Sequence, residues 1–224
     1  MSVIRRPGFG RRTRRRVVDF RAALSVAVVD AATVGCWFTL VVIEPRRPFT
    51  ALAGLTVLFF GALVRTNLIS ETLGGDSAGD QPRPRRIVAA TVYATIWLGW
   101  LIAAESVGAA SGLLFGTLVL VGGLVSYFVI QWFFVLRVSP YTALPMNAVP
   151  HLRTVIVPAT LLGLGATVLL GIVWFGSATL ISATIPLGDR ALLFEIHVVV
   201  AGILVLGCCS FLGTHRYLSA IPDW

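Results

Sequence analysis

Lysine is absent from this chain, and all 18 basic residues among its 224 are arginine. Such one-sided usage marks a GC-rich coding genome and says nothing of mechanism. Charge as a whole is scarce, at 12% of residues, against about 25% in a soluble domain. Apolar residues make up 57% and the mean hydropathy is +0.88. Too few polar side chains remain to wrap a water-facing globule, so the apolar excess is expected to face lipid. Long polar stretches are lacking too. The longest are the first 20 residues and Glu71–Arg86, each shorter than the ~40 residues below which a domain seldom folds unaided. No separate soluble domain is expected.

Cysteine is limited to Cys36, Cys208 and Cys209, all inside apolar segments. An odd number in that setting is no disulfide framework, and each reads as a small buried hydrophobe. Neighbouring side chains on a helix diverge by about 100°, so Cys208 and Cys209 make a poor chelate. Catalytic signatures are missing as well. The chain has no phosphate-binding P-loop, no H-E-x-x-H helix, no nucleophile elbow and no potassium-filter sequence. It also lacks the paired aspartates of membrane phosphotransferases. An enzyme is therefore the weaker expectation, and no cofactor or metal is expected.

What the chain has is length and hydrophobicity in six places. A bilayer core of about 30 Å takes about 20 apolar residues in a helix. The segments of that size are 22–43, 49–69, 87–104, 113–136, 155–181 and 191–212. In lipid each must be helical to satisfy its own backbone. The expected fold is all-α, a polytopic transmembrane bundle of six spans. A basic arm, 1–21, precedes the transmembrane domain, 22–214, and a short tail, 215–224, follows it. Thr13-Arg14-Arg15-Arg16-Val17-Val18 loosely resembles a twin-arginine signal. The apolar segment behind it is too long for a signal core, and Asp30 interrupts it. The first span is expected to stay uncleaved. The three helical hairpins do not repeat one another, which argues against an inverted-repeat transporter.

Arginine placement sets the direction. With the N-terminus in the cytoplasm, fifteen arginines fall on the cytoplasmic side, including Arg83, Arg85, Arg86, Arg137 and Arg153. Only Arg46, Arg47 and Arg190 fall outside. That is a one-sided positive-inside pattern, and an odd span count would break it. Both termini are expected in the cytoplasm, in the plasma membrane of a prokaryote. The arm from Arg5 to Arg16 holds seven arginines, each worth about 1 kcal/mol against an anionic leaflet. It is read as lying on anionic headgroups, with no nucleic acid implied.

Few ionisable groups lie inside the spans. Asp30 stands nine residues past Arg21, about 13 Å into the membrane. An acid there costs about 2.5 kcal/mol or more and is expected to face the bundle interior. Ala23, Ala27, Ala31 and Gly35 recur every four residues beside it, a stripe that favours close helix packing. Asp30 reads either as a proton or cation site or as hydrogen-bonded glue, with glue the better fit. Arg65, near the end of the second span, is expected to snorkel to the cytoplasmic boundary, although an ion pair with Asp30 is conceivable if the first two helices form a hairpin. Gln131 is placed to hydrogen-bond across helices.

Glu195 and His197 are expected in the first turns of the sixth helix. There they would point about 200° apart and could not share one ion. A first-turn acid also suits the helix dipole. His197 and His215 share a face but stand about 27 Å apart, too far for one metal. His151, in the Pro-punctuated connection Arg137–Thr154, could meet His215 at the cytoplasmic face. Pro158 is expected in the first turn of the fifth helix, where a missing N–H is tolerated.

The function these features fit best is a non-catalytic membrane component, a subunit, scaffold or assembly factor with a protein partner or a second copy of itself. The alternative is a small proton, cation or solute transporter using Asp30 in the inner half and Glu195 with His197 in the outer half. Arg65, His151 and His215 are the candidates at the cytoplasmic face, and an intramembrane enzyme built there from His151, His215 and nearby arginines is weakest, since no nucleophile or metal set is visible.

Overall fold

The computed structural model describes residues 8–43, 47–74, 83–138, 152–176, 179–187 and 190–220. Among these residues, six helices are long and apolar enough to cross a membrane. They are α1 (Gly8–Phe38), α2 (Pro48–Gly74), α3 (Arg83–Val107), α4 (Ala109–Val138), α5 (Leu152–Phe175) and α6 (Val198–Ser219). The expected helical transmembrane bundle is thus what the chain forms. Each helix packs on its neighbours in sequence, and α6 closes back onto α1. The bundle is a ring whose inward faces make one core.

Local chemistry sets several boundaries. At the start of α2, Pro48 occupies the first helical position, where its missing N–H costs nothing. The Thr50 hydroxyl accepts from the Arg47 N–H at 3.1 Å and returns a bond to the Arg47 carbonyl at 2.9 Å. Only Gly108 separates α3 from α4, and both Gly108 (φ 70°) and Ala109 (φ 49°) are left-handed. One turn of π-helix, Thr39–Ile43, follows α1.

Several boundaries differ from those the sequence suggests. Helix α1 begins at Gly8 and takes in most of the basic arm. With 31 residues it is about 46 Å long, longer than a bilayer core. Helix α5 starts at Leu152, so Pro158 lies in its second turn, inside the helix. It stops at Phe175 rather than near 181. The chain then forms an antiparallel hairpin, β1 (Thr179–Leu187) and β2 (Arg190–His197), before α6 begins at Val198. Leu187 pairs with Arg190, Ser182 with Glu195 and Thr179 with His197, with a bulge between Thr179 and Ile181. Two apolar runs separated by Gly188-Asp189 are a hairpin signal. Adjoining helical spans hide it, because apolar runs of eight or nine residues read alike as helix or strand. The connecting pair Gly188-Asp189 lies outside the described residues. At the other end α6 runs to Ser219, so His215 is helical and not part of a tail.

The small-residue stripe on α1 finds its partner. Gly207 of α6 sits against Ala31, and a Cβ on Gly35 would press Ile203 of α6 at 2.8 Å. The core is aromatic in α3 and α4: Tyr93, Trp97, Trp100, Tyr127 and Phe128 are buried. Leu52, Phe60, Ile102, Leu118, Leu164 and Leu204 point outward, as a lipid-facing surface requires. Cys36 and Cys208 are also exposed on that surface and Cys209 is half-buried. The expected burial of the cysteines does not hold. They stay apolar neighbours of lipid rather than of core.

Candidate functional site

The polar centre of the bundle is built on Asp30, which is 1% exposed. Its residue type would be untenable there unless other helices supplied donors. They do. Arg65 of α2, also 1% exposed, donates from Nη1 to Oδ2 of Asp30. The Ser210 hydroxyl of α6 donates to the same oxygen. The Tyr93 hydroxyl of α3 donates to Oδ1 at 3.2 Å. One carboxylate therefore ties α1 to three other helices, with its charge met by a guanidinium and its lone pairs by two hydroxyls.

Arg65 does not snorkel. Helix α2 continues to Gly74, so Arg65 lies nine residues inside its end, about 13 Å. An interior carboxylate is then nearer than the boundary, and the conceivable ion pair is the one that forms. Aromatic rings complete its surroundings. The Arg65 Cζ lies 4.8 Å from the Tyr93 ring centroid and 6.0 Å from those of Tyr127 and Phe128. Such cation–π contacts are worth about 2 kcal/mol when desolvated.

Around the pair runs a second set of polar atoms. Gln131 donates from Nε2 to the Tyr127 hydroxyl at 2.7 Å, one turn back on its own helix, rather than across helices. Thr214 and Tyr217 follow Ser210 at the fourth and seventh positions of α6, which a helix stacks on one face. Tyr217 packs on Phe128 at 5.0 Å between centroids. Five buried atoms here have no hydrogen-bond partner: Arg65 Nε and Nη2, Gln131 Oε1, Thr214 Oγ1 and Tyr217 Oη.

The remaining candidates lie apart from this centre. Glu195 and His197 belong to β2, not to α6. The first-turn role of Glu195 and the 200° divergence of the two residues both required a helix and do not apply. His215 is half-buried, stacked on Phe211 at 5.9 Å and edge-on to Phe20 of α1 at 6.5 Å. His151 lies outside the described residues, so its meeting with His215 does too. Among the described residues, no three His, Cys, Asp or Glu side chains gather as a metal site would need.

The sequence reading found Asp30 and raised Arg65 as its partner, but it missed Tyr93, Tyr127, Ser210, Thr214 and Tyr217. A signal existed for the last three. Three hydroxyls at i, i+4 and i+7 in a lipid-spanning helix form a polar stripe that needs an interior to face. Compared with known proteins, the chain matches no family model, no curated protein and no solved structure.

Proposed function

We propose that the chain is a non-catalytic component of a prokaryotic plasma membrane, a subunit, scaffold or assembly factor, with both termini in the cytoplasm. The observation that carries this reading is the engagement of Asp30. A carboxylate neutralised by Arg65 and held by Tyr93 and Ser210 serves to hold four helices together. A proton or cation site needs a carboxylate free to exchange its partner, and this one is fully engaged. Glu195 and His197, the other proposed steps of a conduction path, stand in a hairpin at the opposite end of α6 from Ser219.

A small-solute transporter remains the second reading, favoured by the unpartnered polar atoms beside Arg65. Extraction of the full chain in a mild detergent separates the two. The component reading expects a defined partner, or a second copy, to co-purify at constant stoichiometry. It also expects no proton or cation flux after reconstitution into liposomes. A lone, homogeneous species that conducts would overturn it.

A further inference from the structure

We propose that the hairpin β1–β2 is a membrane-surface anchor, whose apolar face rests on lipid of the leaflet farthest from Gly8. The register decides which residues share a face. Residues paired across an antiparallel ladder lie on one side of it, and successive pairs alternate sides. Ile181 with Ile196, Ala183 with Phe194 and Ile185 with Leu192 therefore form one face. The other takes Ser182 with Glu195, Thr184 with Leu193 and Pro186 with Ala191. Every acid and hydroxyl of 181–187 and 190–196 falls on that second face. The first is apolar throughout until its tip, where Leu187 pairs with Arg190.

The bundle leaves the apolar face uncovered. Among the described elements, only α6, into which β2 runs, packs appreciably against the hairpin. A two-stranded ladder on its own is marginally stable at best in water, so the face calls for an occupant. Its size speaks against a protein, a second copy of the chain included. Seven residues at about 3.3 Å each and two strands about 4.8 Å apart give a face of roughly 20 by 10 Å. Two such surfaces pressed together would bury about 400 Å², far under the roughly 1,200 Å² of a stable specific interface.

Continuity favours lipid. The hairpin joins Phe175, at the end of α5, to the first turn of α6, which holds Val200. Both residues are exposed on the lipid-facing surface, so the hairpin starts at the membrane boundary and its apolar face extends that surface. It does not enter the hydrocarbon. Two strands leave a row of unpaired N–H and C=O groups on each outer edge, which only water or headgroups can satisfy. An apolar face between polar edges fits the boundary of headgroups and acyl chains, where an arginine at the tip also meets phosphate. The proposal holds whether the chain is a subunit or a transporter, because it concerns the α5–α6 connection alone.

Fluorescence quenching of the full chain in phosphatidylcholine nanodiscs tests it. In a background with Cys36, Cys208 and Cys209 replaced by alanine, Leu192→Cys and Phe194→Cys sample the apolar face. Thr184→Cys and Glu195→Cys sample the other, and each cysteine carries an environment-sensitive fluorophore. The first two labels should emit at shorter wavelength and lose intensity to phosphatidylcholine bearing a nitroxide high on its acyl chain. The second two should lose intensity to aqueous iodide instead. Loss to iodide at all four positions would place the hairpin in water, and protection of the first two from both quenchers would mean that protein covers the face. Either result overturns the proposal. A variant without label gives a second measurement. Ile185→Glu combined with Phe194→Glu should lift the hairpin off the lipid and speed tryptic cleavage after Arg190, and an unchanged cleavage rate would also overturn it.

Discussion

At the scale of single residues, the Asp30–Arg65 pair illustrates why a buried ion pair is a matter of specificity more than of strength. Removing either partner strands the other charge in hydrocarbon, a loss of about 3–5 kcal/mol for pairs of this kind. Removing both leaves no charge behind, only the hydroxyls of Tyr93 and Ser210 without an acceptor, at about 1–3 kcal/mol each. Asp30→Ala and Arg65→Ala should each lower stability by the larger amount. Asp30→Leu combined with Arg65→Met should recover much of it, because apolar side chains of similar volume replace a buried pair at little cost. Reversible unfolding in mixed micelles reads the cycle. Strictly additive losses would mean that the two residues do not act as a unit. Asp30 was legible in the sequence because an acid in a span is conspicuous. Arg65 was only half legible, since an arginine near a span end reads equally well as an anchor until the helix is seen to continue to Gly74.

At the scale of elements, the connection between α3 and α4 isolates a backbone effect from packing. Gly108 has φ 70°, and a Cβ built there would meet nothing within 4 Å. Gly108→Ala should therefore cost about 1 kcal/mol from the left-handed backbone alone. Ala109, exposed and at φ 49°, carries the same strain already, so Ala109→Gly should gain a comparable amount. Opposite signs at adjacent positions, measured by thermal unfolding, would confirm that conformation decides both. Equal signs would point to contacts instead. The existence of the six spans was readable from hydropathy because lipid demands about 20 apolar residues regardless of context. The end of α5 and start of α6 were not. There two apolar strands continue the hydropathy of the helices they join, and backbone pairing, which hydropathy does not report, separates them.

At the scale of the whole molecule, a closed ring of six helices puts α1 and α6 side by side. An even number of spans brings the N-terminal end of α1 and the C-terminal end of α6 to the same face. Charge then predicts which face is cytoplasmic. Among the described residues, the arginines from Arg11 to Arg21, Arg83–Arg86, Arg137, Arg153 and Arg216 fall at that end, and only Arg47 and Arg190 at the other. Translocating the richer end would carry most of the basic residues across the membrane, against the positive-inside bias. Two exposed serines mark the ends: Ser106 close to the α3–α4 connection and Ser219 at the end of α6. In a background with Cys36, Cys208 and Cys209 replaced by alanine, Ser106→Cys should react with a membrane-impermeant maleimide in intact spheroplasts. Ser219→Cys should react only after the membrane is opened. The background is expected to fold, since Cys36 and Cys208 are exposed on the bundle surface and Cys209 is half-buried. The reverse labelling would place the arginine-rich face outside. Asp30 and Arg65 would then lie in the outer half of the membrane rather than the inner.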